Sequence, residues 1–130
     1  KITISSTSNA SYFSTLPAIR AWITGTGDAT RALFFGGTNS SWTKFNEIRY
    51  QSFTSSGTSG DFGDLTIANQ KACATADAMR AVIFGGQPSG NSNHIDYVTI
   101  QTTGNATDFG DLTVGRARLA GCSNAHGGLS

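Results

Sequence analysis

The hexapeptide Asp-Phe-Gly-Asp-Leu-Thr occurs twice, at residues 61–66 and again at 108–113, a step of 108 − 61 = 47 residues. A copied unit of that size restricts the chain to repeat architectures, in which each unit is one supersecondary element that buries its apolar face only against its neighbours. The pattern therefore speaks to shape before chemistry.

Other anchors keep the register. Arg31-Ala32-Leu33-Phe34-Phe35-Gly36-Gly37 matches Arg80-Ala81-Val82-Ile83-Phe84-Gly85-Gly86 at 80 − 31 = 49, and Ile48-Arg49-Tyr50 matches Ile95-Asp96-Tyr97 at 95 − 48 = 47. The drift falls just after the diglycine, in a segment expected to be a loop, where insertions are tolerated. A third, degraded copy opens the chain. Ile4, Asn9, Phe13 and Leu16 fall on Ile100, Asn105, Phe109 and Leu112, each at a separation of 96. The units run approximately over residues 1–16 (partial), 17–65, 66–112 and 113–130 (partial), within one repeat domain of 130 residues.

Composition suits many short strands joined by tight turns. Ser and Thr make up nearly a quarter of the chain, Gly accounts for 16 residues, and only 13% are charged. The formal net charge of +1 leaves no electrostatic footprint for nucleic acid, because Lys1, Arg20, Lys71 and Arg116 are scattered. No stretch is long and apolar enough to span a bilayer, so neither nucleic acid nor membrane insertion is expected. The first residue is Lys, which fits a mature product or an excised piece better than a complete gene product.

Within one unit, four extended runs are predicted: 71–75, 79–84, 94–100 and 107–112. Residues 81–84 are continuously apolar, as in a strand covered on both faces, whereas 95–100 alternate with mixed burial. Gly85-Gly86 ends the second run because diglycine adopts positive φ without cost. Residues 87–93 form a surface loop, and Gly104-Asn105 is expected to turn the third run into the fourth. Phe109 with Leu112, Phe62 with Leu65 and Phe13 with Leu16 are expected to wedge between adjacent sheets.

An apolar run ending in diglycine, an aromatic before the last turn and an Arg opening the next unit together resemble the kelch motif of β-propellers, over nearly the whole chain. One departure is that the motif's tryptophan position holds Phe13, Phe62 and Phe109. The resemblance implies an all-β fold of kelch-like propeller blades, four-stranded antiparallel sheets with a period of about 47–49 residues, in an incomplete propeller. Phe-Gly-Gly, Ile-Asp-Tyr-Val-Thr-Ile, Thr-Gly-Asn-Ala-Thr-Asp-Phe-Gly-Asp-Leu and Gly-Cys-Ser-Asn-Ala-His-Gly-Gly are similar to the kelch-like repeats of bacteriophage and large-virus structural proteins, tail-associated ones among them. That likeness implies a non-enzymatic structural or host-interaction module of a virus particle, located on the virion or otherwise extracellular. The alternative is a carbohydrate-binding, lectin-like propeller.

The chemistry-bearing residues give little support to an enzyme. Asp61, Asp64, Asp108 and Asp111 bracket the repeated Phe and admit two readings, calcium ligands or turn caps; a calcium loop needs several oxygens converging in one turn, so capping is expected. His94 and His126 lie at unrelated positions and are expected in loops. With no His/Cys/Asp cluster at ligand spacing, no zinc or copper site is expected, and no cofactor. Cys73 and Cys122 are expected as small buried thiols rather than a disulfide. The sequons at Asn9, Asn39 and Asn105 carry no weight in so Ser/Thr-rich a chain. No serine nucleophile sits in a Gly-x-Ser-x-Gly elbow. Catalytic and metal sites are therefore none, and binding residues are left unassigned.

Trp22, Trp42, Tyr50 and Tyr97 are possible stacking platforms for a sugar, against the reading that they pack between sheets. Trp42 has no aromatic counterpart in residues 87–93. Lys1 to Ile4 aligns with the end of a third strand and residues 128–130 fall inside a second, so the termini are expected to cut through blades. The partners expected are other protein subunits or the remainder of a longer chain, with a host surface glycan as a further possibility.

Overall fold

The computed structural model describes residues 1–2 and 5–123, and every regular element among them is a β-strand. In chain order these are β1 (Ser14–Thr15), β2 (Thr24–Gly27), β3 (Arg31–Phe35), β4 (Glu47–Ser52), β5 (Gly57–Thr58), β6 (Gly60–Asp64), β7 (Cys73–Ala76), β8 (Arg80–Phe84), β9 (His94–Thr99) and β10 (Thr107–Asp111). They form two four-stranded antiparallel sheets, β2-β3-β4-β6 and β7-β8-β9-β10, and a parallel two-stranded pair, β1-β5. The four predicted runs of the second unit correspond to β7–β10, with edges moved by at most two residues. No closed ring of sheets is formed by the described residues.

The repeated hexapeptide encodes a β-bulge. Arg49 pairs with Asp61 and Ile48 with Gly63, so Phe62 is the unpaired extra residue; the same slip occurs at Phe109, between Asp108 and Gly110. A bulge frees one residue from the ladder and re-aims its side chain. Here it turns each Phe toward its own third strand, where Phe62 meets Tyr50 edge-on with ring centroids 6.3 Å apart and Phe109 meets Tyr97 at 5.8 Å. Arg31 caps Tyr50 at 5.2 Å, and Arg80 caps Tyr97 at 5.0 Å. Each sheet thus carries an Arg–Tyr–Phe stack on the face turned toward the unit that follows.

The core lies between the sheets. Leu33, Phe35, Ile48 and Phe62 from the first meet Ala81, Ile83, Val98 and Ile100 from the second in one cluster, because strand alternation puts every second residue on the facing side. Backbone bonds clasp the sheets at both ends. At the outer end, Gly104 and Ala106 N–H donate to the Phe62 and Asp64 carbonyls, each at 2.7 Å. One unit earlier, Gly57 and Ser59 donate to Phe13 and Thr15 at 3.3 and 3.0 Å, so β1-β5 is the same clasp. At the inner end β2 lies against β7, and Gly37 N–H donates to the Asn69 carbonyl as Gly86 N–H does to Arg116, both at 2.8 Å.

Four sequence expectations need correction. Gly104-Asn105 is not the turn between the third and fourth strands; that connection spans 100–106, and its second half is the outer clasp. Phe62 is 3% exposed, as a wedge should be, but Phe109 is 56% exposed, because the described residues that follow β10 lie against Phe84 and Cys73 and leave the Phe109 ring largely uncovered. His94 opens β9 rather than sitting in a loop, and Cys122 is exposed rather than buried. His126 and the expected end of the chain inside a second strand lie outside the described residues.

Asp28 and Asp77 hold the hairpin turns before β3 and β8. Asp77 Oδ1 accepts from Arg80 N–H at 2.6 Å and Met79 N–H at 2.7 Å, and these bonds keep its carboxyl below the ordinary aspartate range. Burial works to raise Asp28, but bonds from the Thr30 and Arg31 amides, the Thr30 hydroxyl and Gln101 outweigh it, and the net shift is downward. A carboxylate depressed on folding stabilises the protein above the unfolded value of about 3.9 and loses that contribution as pH falls through the folded value.

Two measurements check this picture. Phe62→Ala should cost about 3–5 kcal/mol in denaturant unfolding, the range for emptying a buried aromatic site, and Phe109→Ala distinctly less; equal losses would contradict the asymmetry of the two stacks. The parent should lose stability as pH falls below about 5 and on through the depressed folded values, and Asp77→Asn should flatten that slope.

Candidate functional site

Only two of the four candidate platform aromatics face solvent. Tyr50 and Tyr97 are half-buried in the Arg–Tyr–Phe stacks. Trp22 and Trp42 are 48% and 65% exposed and flank one hollow of about 280 Å³, which Ile19, Thr38 and Asn39 also line. The structure thus brings together two indoles twenty positions apart in sequence.

Each is held by its backbone. Trp42 sits in the loop between β3 and β4, where the Asn39 side-chain oxygen accepts from Ser41 N–H at 3.0 Å and Thr43 N–H at 2.9 Å. Trp42 N–H donates to the Asn39 carbonyl at 3.1 Å, and the Thr38 hydroxyl donates to the Thr43 carbonyl at 3.0 Å. An Asx turn of this kind fixes a short loop without a helix or sheet. It leaves Trp42 at φ 62°, a left-handed conformation that is rare for a bulky side chain and persists only where its surroundings enforce it.

Trp22 is also left-handed, at φ 55°, and so are Lys71 at 57° and Arg118 at 58°. The three are one register position, separated by 71 − 22 = 49 and 118 − 71 = 47 residues. Lys71 N–H donates to the Trp22 carbonyl at 3.0 Å and Arg118 N–H to the Lys71 carbonyl at 2.9 Å, a ladder that steps from unit to unit. Lys71 Nζ lies 5.1 Å and the Arg118 guanidinium 5.8 Å from the Trp22 ring centroid, within cation–π range. The hollow therefore has one indole loaded with positive charge and one, Trp42, with no aromatic or cationic neighbour among the described contacts. An apolar ring face beside charge and amide groups suits a ligand with both C–H and hydroxyl surfaces, such as a sugar.

A second polar cluster has the composition of a catalytic relay without its geometry. His94 Nε2 lies 2.6 Å from Thr66 Oγ1 and 2.9 Å from Asp96 Oδ1, while the Thr66 hydroxyl and amide also donate to the Asp96 carboxylate at 2.8–3.0 Å. A hydroxyl–imidazole–carboxylate relay uses both ring nitrogens, one for each partner. Here both partners share Nε2, so the cluster ties the connection after β6 to the start of β9. In the first sheet the equivalent of His94 is Glu47, which pairs with the buried guanidinium of Arg20; Arg20 also donates to the Gly36 carbonyl at 2.9 Å and lies over Phe45 at 4.0 Å.

The repeated aspartates do not converge. Asp61 lies 3.7 Å from Arg49, Asp108 accepts from Gly110 N–H at 2.9 Å, and the described residues contain no group of three His, Cys, Asp or Glu placed to hold an ion. Both cysteines are free, Cys73 buried and Cys122 exposed, and burial pushes the Cys73 thiol above its ordinary range. No family model matches the chain, and a search of curated proteins matches none.

Sequence reasoning named both tryptophans but not their meeting, nor the cations on Trp22. The spacing of Trp22, Lys71 and Arg118 was open to view, yet an indole, an ammonium and a guanidinium at one register position share no side-chain pattern.

Because the thiolate is the reactive form, a thiol reagent at neutral pH should label Cys122 in the folded protein and Cys73 only on unfolding. Equal labelling rates by mass spectrometry would contradict the burial of Cys73.

Proposed function

We propose that the chain is a non-enzymatic structural and host-interaction module of a virus particle, a bacteriophage tail or another virion component, and that its sheets are kelch-like blades of an incomplete propeller. The observation that carries the contact role is the pair Trp22 and Trp42, presented outward around one hollow on loops fixed by hydrogen bonds. Exposed indoles are costly to leave in water and serve as rigid, low-entropy anchors for a ligand. The antiparallel sheets, their repeat and the positive φ of both diglycines support the propeller reading, and the virion reading rests on the likeness of the repeated strings.

The same two indoles favour a second reading, a carbohydrate-binding propeller that is not part of a particle. In both cases the ligand class is a neutral or acidic surface glycan, with ring faces on Trp42 and any carboxylate toward Lys71 and Arg118. The readings differ in where the protein resides.

Screening against immobilised surface polysaccharides should find a binder, and Trp42→Ala should weaken it about tenfold or more, equivalent to about 1.4 kcal/mol, with the melting temperature unchanged. Antibody against the chain should label intact virus particles. Glycan binding without particle labelling would select the second reading, and absence of both would reject the two together.

A further inference from the structure

The segments that connect the strands divide by charge according to the end of the sheets at which they lie. At the end that holds Trp22 and Trp42, segments 16–23, 36–46, 65–72, 85–93 and 112–123 contain Arg20, Lys44, Lys71, Arg116 and Arg118 and no Asp or Glu. At the other end, segments 28–30, 53–59, 77–79 and 100–106 contain Asp28 and Asp77 and no Lys or Arg. These cations are scattered along the sequence. Antiparallel pairing gathers them, because every second connection returns to the same end of the sheet.

Ion pairing leaves most of this charge in place. Arg20 is paired with Glu47, whereas Lys44, Lys71, Arg116 and Arg118 form no ion pair among the described residues. Lys71 Nζ instead donates to the neutral Gln87 Oε1 at 2.7 Å, a bond that uses one of the three donors of an ammonium group. Lys71 and Arg118 share the Trp22 ring, 5.1 and 5.8 Å from its centroid. Two like charges brought to one ring repel each other, and an anion bound beside both relieves that repulsion.

We propose that this end of the molecule selects acidic glycans, polymers with carboxylates on their sugar rings, over neutral ones. The inference rests on the glycan-contact reading above and narrows its ligand. Lys71 and Arg118 hold one carboxylate beside the sugar ring on Trp42, and the unpaired charges of Lys44 and Arg116 draw in the carboxylates of neighbouring residues of the polymer. The field also orients the encounter, since a polyanion is attracted to the end with the indoles and repelled from the end with Asp28 and Asp77. A nucleic acid strand is the less fitting polyanion. It stacks successive bases on successive rings, and here the cations already occupy Trp22, which leaves Trp42 as a single platform.

The test is an array of uronate- and sialate-bearing polysaccharides, each paired with its own carboxyl-reduced, neutral form, with oligothymidylate as the nucleic acid arm. The parent should bind acidic members about tenfold or more tighter than their reduced partners, and the gap should narrow in about 0.5 M salt, where exposed charges are screened. Lys71→Gln and Arg118→Gln should each shrink the gap. Trp42→Ala should weaken both members of a pair alike, and Lys1→Gln, whose ammonium lies over Phe13 away from the hollow, should change neither; melting temperatures verify that each variant is folded. Equal binding of acidic and reduced forms overturns this inference and leaves the glycan contact standing, whereas binding of neither form rejects both. A gap that Lys71→Gln and Arg118→Gln leave intact, or that Lys1→Gln shrinks equally, also overturns it, as does tighter binding of oligothymidylate than of every acidic glycan.

Discussion

The approach of one sheet's backbone to the next at Gly63 is the contact on which the rest of this structure depends. Two hydrogen bonds of 2.7 Å join residues 104 and 106 to the carbonyls of Phe62 and Asp64, and only a residue without a Cβ leaves room for the Gly104 carbonyl. The bulge that places Gly63 there also frees Phe62 from the ladder and turns it onto Tyr50. One short sequence thus does two things at once. It closes the backbone gap at the rim and supplies the aromatic that fills the space behind it. Burial of a Phe contributes about 1.5–3 kcal/mol, and an unmet carbonyl at the rim would cost a comparable amount, so the two halves of the device weigh about equally.

At the opposite end of the strands the backbone repeats while the side chains change. The connection into each inner strand is captured from the start of the third strand, by Glu47 and Arg20 in one unit and by His94, Thr66 and Asp96 in the next. The first solution buries a guanidinium against a partly exposed carboxylate, and its desolvation is offset by the Gly36 carbonyl and the face of Phe45. The second uses a hydroxyl shared between an imidazole and a carboxylate. Asn69, at the position of Arg20, donates to the Gly85 carbonyl at 2.8 Å as Arg20 does to Gly36. What is copied between units is the demand of the diglycine carbonyl for a donor, and two chemistries meet it.

This separation explains what could be read from the sequence. Strands β7–β10 and the left-handed diglycines were legible because they depend on local residue types: apolar alternation, β-branched and aromatic side chains, and glycine at positive φ. Phe62 was legible as a wedge because its copies share a register. Phe109 was misjudged for the same reason, since a repeat states what a residue is shaped to touch and not whether the partner is there. Gly104-Asn105 has the composition of a tight turn, but its amides are used by the neighbouring sheet, and no local rule anticipates a long-range acceptor. The left-handed backbone at Trp22, Lys71 and Arg118 was hidden by the opposite problem, a common conformation reached by dissimilar side chains.

The aromatic hollow follows from the place where the two units differ most. Between the second and third strands the first unit has residues 36–46 and the second 85–93, and the two additional residues lie in the loop that the Asn39 turn organises around Trp42. Strands and clasps tolerate no such change, because a shift of one residue would move every side chain of a strand to the other face. A loop held by its own side-chain bonds at one end of a rigid sheet can vary freely. The pairing of a forced left-handed Trp42 with a Trp22 fixed by the inter-unit ladder therefore combines one element specific to this unit with one that the architecture supplies at every step. A surface built this way takes its position from the repeat and its side-chain chemistry from the exception.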